Sequence, residues 1–378
     1  MKHSATIILA ALALAACAPA GITKSGLSPA DFTDGYNGKP TALYTLTNEA
    51  GMEVCITNFG GRIVSLLVPD RDGEMRDVVL GFDNVSSYFP ENNLTDFGAA
   101  IGRYANRIAG GRFSLDSTEF VLTQNNNGHC LHGGTTGWQY QVYETVEATS
   151  ESLTLAMHSP DADNGFPGAA EALVKYVLTP DNRLEISYSA TTSKPTVINM
   201  TNHSYFNLSG APAENTILDE ELYIASHAIT PVDDTLIPFG EIASLSEYPD
   251  FDFNTPKPIG RDIDDPEEQQ LISGGGYDHN WVLDTEGDLS RVCASLYCPL
   301  TGIRMDIYTD EPGIQVYSGN FLDGSVTGKK GVAYAKRTAI CLETQKYPDS
   351  PHNPGWPSAV LRPGETYSSH TVYAFSVE

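Results

Sequence analysis

Short runs rich in β-branched and aromatic residues recur along almost the whole chain, each closed by Gly, Pro, Asn or Asp. They include TALYTLT (Thr41 to Thr47), EVCIT (Glu53 to Thr57), RIVSLLV (Arg62 to Val68), DVVLGF, RFSLDSTEFVLTQ, SLTLAM, EALVKYVLT, RLEISYSAT, CASLYC, GIRMDIYT and the closing HTVYAFSV. Helical periodicity over ten or more residues is almost absent, and only Pro266 to Ile272 offers a helical turn or two. A chain with this punctuation cannot build an α/β enzyme, which needs long helices between its strands. The pattern predicts an all-β protein: one large antiparallel β-sandwich in a single domain.

Three of the strands carry an unusual polar side. In VINMTNHSYFNL (Val197 to Leu208), Ile198 and Met200 fall on one face while Asn199, Thr201 and His203 fall on the other. Such a strand reads as half-exposed. In GIQVYSGNF, Ile314 and Val316 oppose Gln315 and Tyr317; in AICLETQ, Ile340, Leu342 and Thr344 oppose Cys341, Glu343 and Gln345. A carboxylate in an apolar strand costs stability unless it is partnered or used, so Glu343 stands out. If the three strands line one concave face, a histidine and a glutamate meet there as an acid/base pair.

The first residues do not belong to the fold. Lys2 and His3 precede an apolar run, Thr6 to Ala16, too short to anchor stably across a bilayer. Leu14-Ala15-Ala16-Cys17 resembles the lipobox of bacterial lipoproteins, in which Cys17 would become the acylated mature N-terminus; an ordinary secretory signal is the alternative. The expectation is a leader over 1–16, an acylated Cys17 with a Pro/Gly/Ser-rich tether over 17–35, and a catalytic domain over 36–378. The protein would then be exported and lipid-anchored facing the periplasm, or periplasmic. Ala18 after Cys17 favours the outer membrane by analogy with bacterial sorting, and the membrane contact would be through lipid alone.

The 22 basic and 48 acidic residues give a net charge of −26. A phosphate backbone needs a basic footprint, so nucleic-acid partners are excluded. After Cys17, five cysteines remain: Cys55, Cys130, Cys293, Cys298 and Cys341. Cys293 and Cys298 are the nearest pair, but no disulfide framework is visible, and Cys341 reads as a buried free thiol.

Several loops concentrate chemistry. GRYANRIAGGRF (Gly102 to Phe113) holds Arg103, Arg107 and Arg112 in a chain poor in arginine, with Asn106 beside Arg107. NNNGHCLHGG (Asn125 to Gly134) puts His129 and His132 three apart, close enough to chelate a metal, but no HExxH, cysteine cluster or supporting carboxylate accompanies them. YDHNW offers Asp278 and His279, with Trp281 as a candidate stacking plate. GxSxG, P-loop and Rossmann patterns are missing, so acyl transfer and nucleotide chemistry have no support.

GRYANRIAGG, LHGG, TNHSYFNL, YDHN, GIQVYSGNFL, CLETQKYPDSPHNP and LRPGETY occur in the order found in aldose 1-epimerases, the galactose mutarotase family. The resemblance runs from about Gly35 to Glu378. It implies a galactose mutarotase-like supersandwich with an aldose sugar on a concave sheet face and neither cofactor nor metal. Position by position, it implies Glu343 as catalytic base, His203 as general acid, and His132 near the ring oxygen and anomeric region. Asn106, Arg107, Asp278 and Gln315 match the family residues that hold the sugar hydroxyls. Lys346, Cys130, Trp281 and Trp356 depart from the family beside these positions and are expected to tune sugar preference. Two other classes stay open: a sugar-binding protein without turnover, and a glycoside hydrolase using Glu343 and Asp278 as its carboxylates.

Overall fold

The computed structural model describes residues 21–210 and 215–378. The leader over 1–16 and Cys17 therefore lie outside the described residues. The strand expectations hold for nearly all of the runs; DVVLGF is the exception, strand only at Asp77 and otherwise joined through a single isolated bridge from Val79 to Phe206. Two sheets dominate, one of nine strands and one of six, all pairs antiparallel. In the larger sheet, Ala170–Leu178 and Arg183–Thr192 alternate buried with half-buried or exposed positions along nearly their whole length, so one face packs while the other turns toward water. Their buried residues, such as Val174, Tyr176 and Ile186, join Trp281, Ile314, Val316 and Leu342 of the smaller sheet in one apolar core. That shared core holds the two sheets together, with hydrophobic burial as the main driving force.

The six-stranded sheet carries the site. Its adjacent strands Asp278–Leu283, Gly313–Tyr317 and Ile340–Gln345 set Asn280, Gln315 and Glu343 in one row and Asp278, Tyr317 and Cys341 in the next. Because side chains alternate, both rows lie on the face away from Trp281, Ile314 and Leu342. This face is the one anticipated from the alternation in GIQVY and CLETQ.

The sequence expectations fail at three places. Trp281 is fully buried, donates its indole N–H to the Phe251 carbonyl at 2.9 Å, and packs against Phe251, Phe253 and Tyr277. It cannot be a stacking plate, since it occupies the core side of a strand whose other side bears Asp278. The polar side of Val197 to Leu208 is not half-exposed either, because every residue of that stretch is buried. Asn199 bonds the Ala105 and Lys346 carbonyls, Thr201 the Thr344 carbonyl and Asn202 the Gly98 carbonyl. These side chains satisfy main chain in the layer that covers them.

The third correction concerns the tether. Leu27 and Phe32 are 2% and 0% exposed, and the main-chain N–H groups of Lys24 and Ser25 both donate to the Glu53 carboxylate at 3.0 Å. The packed body thus begins well before residue 36, held by two apolar anchors within a segment whose composition reads as linker. All five cysteines of the described residues are free and buried, Cys341 among them.

Candidate active site

A cavity of about 300 Å³ opens over the polar face of the six-stranded sheet. Glu343 reaches it from the sheet. His203 reaches it from the end of the Thr201–His203 strand, which pairs with Ala99–Ile101. The two side chains are buried, and the His203 Nε2 lies 3.4 Å from the Glu343 Oε1. The His203 ring stacks on Tyr205 at 5.1 Å between centroids, which fixes its plane. Glu343 Oε2 and His203 Nδ1 are buried without a hydrogen-bond partner. Unsatisfied polar atoms of this kind are costly and mark a place where something polar binds.

Burial sets the electrostatics. It pushes the Glu343 carboxyl well above the usual carboxylate range, with the negative charges of Asp278 and Asp96 adding to the push and Arg107 opposing it. Burial likewise pulls the His203 imidazole down, with Asp96 opposing and Arg62 assisting. Both directions favour the neutral forms, and at 3.4 Å the two groups titrate as a coupled pair.

His132 stands edge-on to His203, with ring centroids 5.1 Å apart. Its Nδ1 accepts the Asn106 main-chain N–H at 3.2 Å. The ring proton is therefore on Nε2, and burial, His203 and Arg107 keep the imidazole far below its ordinary protonation range. His132 is thus a neutral hydrogen-bond donor. Its backbone is left-handed, at φ +50°, and a side chain on the following Gly133 would strike the Gly102 carbonyl oxygen at 2.2 Å, which explains the glycine after LH.

Asn106, Arg107 and Asp278 also line the cavity. Asn106 turns the chain at φ +61° and accepts the Arg107 main-chain N–H through its own side chain at 2.8 Å. Burial raises Asp278, against the pull of the Arg107 guanidinium and of the Gln315 amide. Gln315 itself is not on the cavity wall. Its Nε2 donates to Asp278 Oδ1 at 2.7 Å, so it orients that carboxylate. Lys346, Cys130, Trp281 and Trp356 do not line the cavity; Lys346, for example, turns away to pair with Glu311 at 2.7 Å.

The other candidate groups are structural. Arg103 is buried and donates to the carbonyls of Pro167 and Gly168, while Arg112 lies on the surface near Glu119. His129 Nδ1 accepts the Gly110 N–H and its Nε2 meets the Thr235 hydroxyl, so it does not chelate with His132. A different trio, Asp96, His132 and His203, presents one donor atom each within 4.8 Å of one another. His132 does not suit a cation there, because its Nδ1 lone pair is taken and its Nε2 carries a proton. Asp96 had no signal in the sequence: it precedes its strand in a loop without periodicity. Leu236, which also lines the cavity, was equally invisible, whereas Phe321 lies within the GIQVYSGNFL motif, which assigned it no role.

The family model for aldose 1-epimerase matches residues 42–374. The chain belongs to the aldose 1-epimerase family. As an aldose 1-epimerase family member it is an isomerase acting on carbohydrates. It is 41% identical over 326 residues to galactose mutarotase of Bos taurus, covering 86% of this chain and 92% of that one. It is 38% identical over 345 residues to aldose 1-epimerase of Escherichia coli (strain K12), covering 90% and 97%. Among solved structures, the GalM/aldose epimerase homologue from C. elegans matches with a TM-score of 0.82 at 31% identity, over 89% of this chain and 99% of that one. The epimerase fold, with its cavity over a polar sheet face, agrees with what the motifs implied.

Proposed function

We propose that this enzyme interconverts the α and β anomers of free aldohexoses such as glucose and galactose, with Glu343 as base and His203 as acid. The supporting observation is the 3.4 Å approach of His203 Nε2 to Glu343 Oε1 on the wall of one hexose-sized cavity. In the form of the pair that carries its proton on His203, the Glu343 carboxylate removes the proton from the C1 hydroxyl while the imidazolium delivers one to the ring oxygen. The C1–O5 bond breaks, the aldehyde turns about C1–C2, and reclosure reverses the two roles. A buried pair sharing one proton suits this, because each half-reaction hands the proton across and restores it. The His132 Nε2–H is placed to donate near the anomeric region. Arg107, Asp278 and Asn106 hold the remaining hydroxyls, and Gln315 acts through Asp278.

The test is polarimetry on freshly dissolved α-D-glucose and α-D-galactose. The expected result is equilibration at a rate proportional to enzyme added, with no cleavage of nitrophenyl glycosides. Sugar binding without faster equilibration would overturn the assignment.

The same proposal extends to location. Leu14-Ala15-Ala16-Cys17 supports export and attachment through a lipid on Cys17, facing the periplasm. Cys17→Ser is expected to release the protein from the membrane fraction of expressing bacteria; unchanged fractionation would sink the anchor.

A further inference from the structure

Asp96 is the one cavity-lining carboxylate that neither the acid/base pair nor the sugar-holding set employs. It is built into place. The guanidinium of Arg62, itself fully buried, donates to the carbonyls of Thr95 and Phe97, the residues on either side of Asp96, both at 3.0 Å. One residue further on, the Gly98 N–H donates to the main-chain carbonyl of His203 at 3.0 Å. The loop is thereby pinned to the backbone of the proposed acid. Asp96 Oδ1 is buried with no partner, and a donor atom of the residue lies within 4.8 Å of donor atoms on both His132 and His203.

We infer that Asp96 is a positioning residue of the acid/base site, a further carboxylate that keeps the working proton on the His203–Glu343 pair. The inference rests on the acid/base assignment above. Three states of the pair matter: with one proton it works, with none it lacks the acid, and with two it lacks the base. A fixed negative charge a few ångströms away disfavours the unprotonated state most and favours the doubly protonated state, so both transitions move to higher pH. The groups that face the pair are His132, Tyr205 and Tyr317 around His203, Asp278 and the cation Arg107 around Glu343, and the cation Arg62 on the His203 side. The two cations push the proton off, and Arg62 has committed its terminal nitrogens to carbonyls. Burial lowers the imidazole most, and Asp96 is first among the charges that oppose it.

The experiment is the pH profile of kcat/KM for mutarotation in Asp96→Asn. Both limbs of the bell are expected to move to lower pH by about one unit, as an opposite charge at this range implies. On the alkaline side the residual rate then falls about tenfold against wild type at equal pH. Asp96→Ser, a second neutral variant, should move the limbs alike, and NMR titration of the His203 ring in the sugar-free protein should report the same shift without turnover. A bell that keeps its position while losing height would overturn the inference, leaving Asp96 as a sugar contact or a loop residue. If Glu343→Gln turns over at the wild-type rate, the underlying acid/base assignment fails. If Glu343→Gln is inactive and the Asp96→Asn bell stays put, only the role of Asp96 fails.

Discussion

Glu343→Gln is expected to slow mutarotation by about 10²–10⁴-fold while raising the thermal midpoint at neutral pH, because one buried group serves catalysis at the expense of the fold. The loss follows from chemistry: an amide of the same shape accepts no proton from the C1 hydroxyl. The gain follows from burial. The folded protein raises the Glu343 carboxyl well above its ordinary 4.5, chiefly by desolvation, so the fold keeps a proton that the unfolded chain has shed. Stability therefore falls as pH climbs from about 4.5 toward the folded value, since the native state binds more protons there. The amide variant would carry no such slope. Its advantage is expected to grow by at most about 1.4 kcal/mol for each pH unit above 4.5 until the folded carboxyl titrates, and to vanish below pH 4.5. Polarimetry and melting curves at both pH values read the two halves separately. A wild-type rate would refute the base; a lower midpoint at neutral pH would show that Arg107 and His203 more than offset the desolvation.

His203→Asn is the companion result, with an expected loss of about 10²–10³-fold in kcat and little change in KM. Asparagine keeps a polar group near the ring position but cannot deliver a proton to the ring oxygen. His132, 5.1 Å away between ring centroids, does not substitute, because the Asn106 N–H occupies its Nδ1 and burial, with Arg107, keeps the ring neutral. The bell-shaped pH profile, which belongs to the coupled pair, should collapse to a single transition. Removing Glu343 and His203 together should cost hardly more than removing either, as groups that act as a unit behave. Substantial additivity, or full activity in His203→Asn, would dismantle the pair.

The parts legible in the sequence are those governed by the two-residue period of a strand. The polar sides of GIQVY and CLETQ placed Gln315 and Glu343 on one face, and the register Gln315 to Glu343 puts them directly opposite each other. The same period misled where only chemistry was weighed. Trp281 shares parity with His279 and so belongs to the core, whatever its ring could stack on. The alternation in INMTNH pointed to a histidine that reaches the cavity but not to the burial of its neighbours, because exposure depends on the covering layer, which a single strand does not encode. Asp96 was illegible for a related reason: its position is set by Arg62, 34 residues earlier in the chain, and by the backbone of His203. Leu27 and Phe32 were hidden by their Pro, Gly and Ser neighbours.

The cysteines carry a last consequence. Burial lifts the thiols of Cys55, Cys130 and Cys293 to about 12, that of Cys341 well above its ordinary range, and that of Cys298, with help from Glu220, above it as well. Thiolate is the species that oxidants and disulfide exchange attack, and it is scarce at such sites. The catalytic body should thus be indifferent to the redox poise of its surroundings, maturing without a disulfide to form or a reductant to protect it.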